Sequence, residues 1–189
     1  MRVALLALAL APAVARGQAQ GFAESYLGAT LPLGEKKYDD LVEASFKLGV
    51  RGGVWLGNMP RVGFEGSFDF SPLSAQATSF VLNYDAKRIR FLGGIRLGFP
   101  FGRVLVYLRV AAGIDYVSYT GLFLGRRISD SNTGVAFDPG VGVMVAVVGP
   151  LRLGAQLSFP IGIHHDAQNT VLDYTSTDLD MMFVIGAIF

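Results

Sequence analysis

Past residue 20 the chain alternates apolar and polar positions with a period of two, and that period places successive side chains on opposite faces of a β-strand. Val62, Phe64, Phe68 and Phe70 alternate with Gly63, Glu65, Ser67 and Asp69. Ile89, Phe91, Ile95, Leu97 and Phe99 alternate with Arg88, Arg90, Leu92, Gly94, Arg96 and Gly98. The same two-sided pattern recurs at Phe46/Lys47 to Val50/Arg51, Val104 to Asp115, Leu151 to Ile161 and Leu179 to Phe189. Residues 22–31 alternate only partly, and residues 134–148 set valines against small residues. No helix-period stripe and no apolar run of about 18 residues, the length of a spanning helix, occurs after residue 20. The pattern predicts eight strands near 21–31, 41–56, 61–71, 78–99, 103–120, 134–148, 151–163 and 177–189. Phe80, Leu82 and Tyr84 have the opposite parity to Ile89 and Phe91, which predicts a bulge near residues 85–88.

The predicted connections alternate in length. Gly57-Asn58-Met59-Pro60, Pro100-Phe101-Gly102 and Gly149-Pro150 read as tight turns. Residues 32–40, 72–77, 121–133 and 164–176 read as longer loops. Short turns at one end and long loops at the other form the pattern of a closed, antiparallel, up-and-down barrel in a membrane. Closure follows from physics, because each unpaired backbone group in hydrocarbon costs several kcal/mol and an open sheet edge is not tolerated there.

The first 19 residues differ from the rest. Arg2 precedes an aliphatic run over residues 3–11, Pro12 breaks it, and Ala13-Val14-Ala15 or Gly17-Gln18-Ala19 supplies small residues for cleavage. This reads as a secretory signal peptide at 1–19, with residues 20–189 forming one barrel domain. Composition agrees with a chain that keeps much apolar surface: 51% of residues are hydrophobic and only 16% charged, against about 25% charged in ordinary soluble domains. Net charge is +1, and without residues 1–19 it is 14 basic against 15 acidic residues. That balance does not suggest a nucleic-acid surface. The chain has no cysteine, which excludes disulfides, thiolate metal sites and cysteine catalysis.

Alternation alone leaves open which face looks outward. A membrane barrel turns its apolar face to lipid and its polar face to the lumen; a secreted, lipocalin-like soluble carrier would do the reverse. The apolar face is nearly free of charge and holds aromatics near strand ends: Phe22, Phe70, Phe99, Phe101, Tyr116, Phe137 and Phe189. Trp55, Tyr116 and Tyr119 are candidates for an interfacial girdle. On the other face stand Lys47, Arg51, Glu65, Asp69, Arg88, Arg90, Arg96, Arg109, Asp115 and Arg152. In a narrow lumen these charges must pair, with Arg51 expected opposite Glu65 and Arg88 opposite Asp115.

Met181, Phe183, Ile185, Ala187 and Phe189 form an alternating apolar row that ends in Phe. This row resembles the C-terminal signature of bacterial outer-membrane barrels. The whole processed chain resembles the small barrels of the OmpA transmembrane-domain, OmpX and OmpW class. That resemblance implies an outer-membrane location with long loops extracellular and short turns periplasmic. It also implies recognition of the last strand by the barrel-assembly machinery, contact with membrane lipid and surface glycolipid, and a monomeric state.

Other residues admit chemistry, but each has a plainer reading. His164-His165-Asp166, with Asp173, Asp178 and Ser158 or Ser176, would suit a rim enzyme or a metal site, but they read first as a solvated loop. Glu35 with Asp39-Asp40, and Asp130-Ser131-Asn132, could offer oxygen ligands to a divalent cation; they read first as turns. Lys36-Lys37 and Arg126-Arg127 could meet glycolipid phosphates. No catalytic residue, metal or cofactor is expected. The function expected is a structural or surface-interaction barrel whose lumen is plugged by ion pairs. A narrow channel for small or apolar solutes and a barrel-rim lipid-modifying enzyme are the alternatives.

Overall fold

A computed structural model describes residues 19–33, 44–74, 82–123, 126–164 and 174–189. Residues 1–18, with most of the expected signal peptide, lie outside the described residues. So do Phe80, the clusters at Glu35–Asp40, and His165, Asp166 and Asp173.

The described residues hold nine strand segments: β1 (Ala19–Pro32), β2 (Ser45–Leu56), β3 (Arg61–Ser74), β4 (Leu82–Phe101), β5 (Val104–Phe123), β6 (Arg126–Ala146), β7 (Leu151–Ser158), β8 (Ile161–His164) and β9 (Tyr174–Ile188). All pairings among the described residues are antiparallel; besides sequence neighbours, β6 pairs β8, β7 pairs β9, and β1 pairs β9 from Phe22↔Ile188 to Pro32↔Asp178. The sheet therefore closes on itself. β7 and β8 are one stave. Both pair β6 and β9, and the register runs unbroken across the gap, from Ser158↔Gly140 to Ile161↔Phe137. The break falls at Phe159-Pro160, facing Pro139, where neither proline has an N–H for the ladder. Phe159 N–H still donates to Pro139 O at 2.9 Å, and Asp178 N–H to Pro160 O at 3.0 Å. The result is a closed eight-stranded barrel.

Three tight connections lie at one end. The β4–β5 connection is the shortest, with Phe101 paired to Val104 and only Gly102-Arg103 between them. Gly102 has φ +61°, a left-handed conformation that matches the strand twist and that glycine adopts without a Cβ clash. The opposite strand ends include those of the long β4, β5 and β6. The β5–β6 hairpin departs from expectation. Residues 126–133 read as loop, yet they pair with β5 from Phe123↔Arg126 to Tyr116↔Thr133. The apolar outward row on β6 begins only at Val135, so the polar stretch before it is strand that extends past the apolar belt. A tilted membrane strand needs about 9–11 residues, and β4, β5 and β6 have 20, 20 and 21. The bulge expected near 85–88 sits slightly earlier, between Leu82 and Asp85 against β5.

The facing of the strands is unambiguous. Phe64, Phe91 and Leu157 are 38%, 58% and 45% exposed, whereas Arg90 and Glu65 are 2% and 7% exposed. Large apolar side chains cover the outside and the charges lie within. Two aromatics depart from expectation: Phe22, expected on the apolar face, and Trp55, expected in the girdle. Phe22 and Trp55 point inward and are buried, because they share the parity of Glu24 and Arg51 on their strands. With Leu105, Tyr107, Met144, Val184 and Ile188 they form an apolar cluster in the lumen. Phe101, Tyr116, Phe137 and Phe189 do face outward.

Candidate functional site: a filled lumen

The inward positions of the eight staves meet in the lumen, and their side chains fill it. Among the described residues six cations and seven carboxylates are buried, so the interior is close to electroneutral. A lone buried charge would cost several kcal/mol, and the structure avoids that cost through shared partners.

The first layer above the apolar cluster is a belt. Asp138 accepts from Arg109 Nη1 at 2.6 Å, and Arg109 Nε donates to Glu65 Oε1 at 2.9 Å. Glu65 also accepts from Arg96 Nε. Arg96 in turn grips Glu24 through both Nη atoms, each at 2.9 Å. Glu24 accepts from Arg51 Nε, and Arg51 Nη1 donates to Gln156 Oε1 at 2.6 Å. Tyr107 Oη joins Arg51 and Gln156 at 3.2 and 3.1 Å. The belt ties side chains from β1 to β7 with three guanidiniums against three carboxylates. The fork of a guanidinium suits this bridging, because it presents several donors in one plane. Arg96 also lies 4.7 Å above the Phe22 ring and 4.6 Å above Tyr107, and Arg51 lies 4.8 Å above Tyr26; the aromatics thus cover the cations that the belt leaves facing them.

Two more clusters lie toward the long-loop end. Lys47 Nζ bridges Asp69 at 2.9 Å and Asp180 at 2.7 Å. Tyr26 Oη donates to Asp69, and Thr30 Oγ1 donates to Asp180 at 2.7 Å. Beyond them Arg88 and Arg90 share Asp178, at 2.7 and 3.2 Å, and Asp115, at 3.4 and 3.1 Å. His164 Nε2 lies 3.4 Å from Asp115 Oδ2.

Glycines set where the lumen aromatics lie. Tyr26 pairs with Gly49, Trp55 with Gly63 and Tyr107 with Gly142 across adjacent strands. A Cβ at Gly49 would come within 2.5 Å of the Tyr26 ring, and one at Gly63 within 3.0 Å of Trp55. The rings therefore lie flat over bare backbone, which explains these strand glycines by close packing.

The expected charge-bearing residues divide in two. Lys47, Arg51, Glu65, Asp69, Arg88, Arg90, Arg96, Arg109 and Asp115 are all buried in the lumen. Arg152 stands apart. It pairs in the ladders with Ala146 and Gly186, and among the described residues it forms no ion pair, the carboxylate of Glu24 beyond Gly186 being held by Arg51 and Arg96. Of the two pairs expected, Arg88 and Asp115 are 3.4 Å apart, but diagonally: Arg88 is opposite Val117, and Asp115 is opposite Arg90. Arg51 and Glu65 are not partners: Glu65 is opposite Gly53, and Arg51 is opposite Glu24 on β1. The tight turn is longer than the spacing assumed, which moves the register by two residues.

Glu24, Asp138, Asp178, Asp180, Tyr26, Tyr107 and Gln156 belong to the lumen and escaped the sequence reading as network members. The parity of each strand points them inward once one charged neighbour is placed. His164 also departs from expectation. It lies in β8 and is 1% exposed, inside the lumen and not in a solvated loop. A Cβ on Gly162 would meet Ser176 Oγ, Asp115 Oδ2 and His164 Nε2, so these three groups share one enclosed space. Among the described residues no group of three or more His, Cys, Asp or Glu is arranged to hold a metal ion.

Comparison with known proteins agrees with this architecture. The chain is similar in fold to Ail, the attachment invasion locus protein of Yersinia pestis, with 17% identity over 91% of this chain and 99% of that chain, at a TM-score of 0.56. Neisserial surface protein A (NspA) matches with 12% identity over 90% and 99%, at 0.60. A major outer membrane protein from Thermus thermophilus matches with 10% identity over 90% and 99%, at 0.56. No curated protein sequence matches the chain. The model of the outer membrane protein beta-barrel domain matches residues 3–180, and the chain belongs to that family of small outer-membrane barrels.

Proposed function

We propose that this protein is a plugged anchor in the outer membrane, with a structural or surface-interaction role carried at its long-loop end. The observation that carries this reading is the belt from Asp138 to Gln156, which crosses the lumen and ties seven staves together. A water-filled channel needs an interior free of such bridges, and at eight strands side chains about fill the space. The orientation that fits has the tight turns in the periplasm and the extended β5–β6 hairpin outside the cell. Two of the similar structures are those of an attachment protein and a surface protein, which is consistent with a surface role here. Partners on this reading are membrane lipid and surface glycolipid, with the barrel-assembly machinery engaging the row from Met181 to Phe189 during biogenesis.

Planar-bilayer recording tests the plug. The folded protein, identified by heat-modifiable gel migration, should give no steady conductance. Replacing Arg96 and Glu24 together by alanine should open intermittent conductance, because it empties the centre of the belt. Stable open channels in the unaltered protein would favour the narrow-channel alternative.

A further inference from the structure

Every tight turn carries one arginine and no acidic residue. Residues 55–62 contain Arg61, 98–105 contain Arg103 and 146–153 contain Arg152, without an Asp or Glu among them. All three arginines have lumen-facing parity, an even number of residues from Glu65, Leu105 and Gln156 respectively. They therefore surround the mouth of the barrel at the turn end.

Among the described residues none of them takes a lumen carboxylate, and Glu24, across Gly186 from Arg152, is held by Arg51 and Arg96. The buried Phe22, Trp55, Leu105 and Ile188 form an apolar floor beneath them. Among the described residues none of the three forms an ion pair. Arg61 reaches only Gln20, with Nη1 donating to Oε1 at 2.7 Å, and its Nε and that of Arg152 have no hydrogen-bond partner. Arg103 is exposed. Arg61 and Arg152 are half-buried beside it at the rim of the mouth.

The outer side of the same turns is apolar. Val62, Phe101 and Val147 are 39%, 59% and 49% exposed, share the parity of outward Phe64, Leu97 and Val145, and continue the apolar outer wall to the turn end. Each turn thus pairs an outward apolar side chain with a cation on the mouth side. Side chains of these two kinds fit the boundary where acyl chains meet charged headgroups.

We propose that the turn end is a collar for anionic phospholipid headgroups, with Arg61, Arg103 and Arg152 holding phosphates while Val62, Phe101 and Val147 enter the acyl region. This rests on the membrane placement proposed above. Near an anionic surface each arginine is worth about fivefold in association, and salt screens the effect.

Amide NMR of the full barrel in zwitterionic micelles tests the collar. Added phosphatidylglycerol should shift the Gly57, Gly102 and Gly149 amides, and equal amounts of phosphatidylcholine or inorganic phosphate should not. Arg103→Gln should weaken the apparent affinity about fivefold, and adding Arg61→Gln and Arg152→Gln should abolish selectivity. Lys87→Gln, at the other end, should leave it unchanged. Arg103→Gln alone suffices should the triple variant fail to fold. Equal response to phosphatidylcholine or to inorganic phosphate, or indifference to Arg103→Gln, would overturn the collar. A barrel lacking heat-modifiable migration would instead overturn the membrane placement.

Discussion

Glu24→Gln should destabilise the barrel by about 3–5 kcal/mol, the cost of removing one partner from a buried charge cluster. Glu24 is the node of the belt: Arg96 holds it through two hydrogen bonds and Arg51 through a third. Glutamine keeps the shape but leaves three guanidiniums facing two carboxylates. Urea unfolding in lipid vesicles measures this. Trp55 is the chain's single tryptophan, it is buried, and it lies 5.6 Å from the Phe22 ring, so its emission reports loss of the lumen. A companion pair sharpens the test. Glu24→Leu combined with Arg51→Met should cost less than the two single changes together, because neither charge is then left alone. A loss below about 1 kcal/mol for Glu24→Gln, the scale of an exposed pair, would mean that the belt is solvated.

Gly142→Leu should also be strongly destabilising, while Gly66→Ala should be nearly neutral. A Cβ at Gly142 would enter the Tyr107 ring. That ring cannot move without releasing Arg51 and Gln156, which its hydroxyl joins. Overpacking alone costs about 1–3 kcal/mol, and the broken hydrogen bonds add about 1–3 kcal/mol. Gly66 occupies the same kind of strand, but it faces outward and a Cβ there meets nothing within 4 Å. Its replacement by alanine should change stability by about 1 kcal/mol or less, in the stabilising direction, because strand glycine carries an entropy cost. Equal losses at the two sites would mean that strand propensity, and not the Tyr107 contact, decides.

Strand facing was legible wherever one face was charged. Phe91 beside Arg90, and Phe64 beside Glu65, fix parity without ambiguity. β1 was harder to read because its inward face holds Phe22 and Tyr26 beside Glu24, so the hydropathy contrast fades at the apolar floor. Trp55 misled for the same reason: an aromatic near a strand end suits the interface equally well until its parity with Arg51 is taken into account. The polar stretch before Val135 read as loop because strand beyond the membrane has no reason to alternate.

The ion pairs were partly beyond sequence reasoning. Hairpin register can bring Arg90 opposite Asp115. No local rule brings Lys47 to Asp180 or Arg96 to Glu24, because these side chains reach across the lumen to staves that are not neighbours. The turn arginines were visible as residues, but no local rule shows that the lumen carboxylates are taken by other cations, as Arg51 and Arg96 take Glu24.

The facing of the wall can be measured directly along β9. The chain has no cysteine, so single cysteines at Met181, Met182, Phe183, Val184 and Ile185 can each carry one spin label. Positions 181, 183 and 185 are 43%, 50% and 45% exposed, whereas 182 and 184 are 4% and 0% exposed. In lipid vesicles, collision with oxygen should be high at the three odd positions and low at the two even ones, with a water-soluble nickel chelate excluded from all five. Odd positions open to the nickel chelate, or an inverted alternation, would place the apolar wall away from acyl chains and contradict the account.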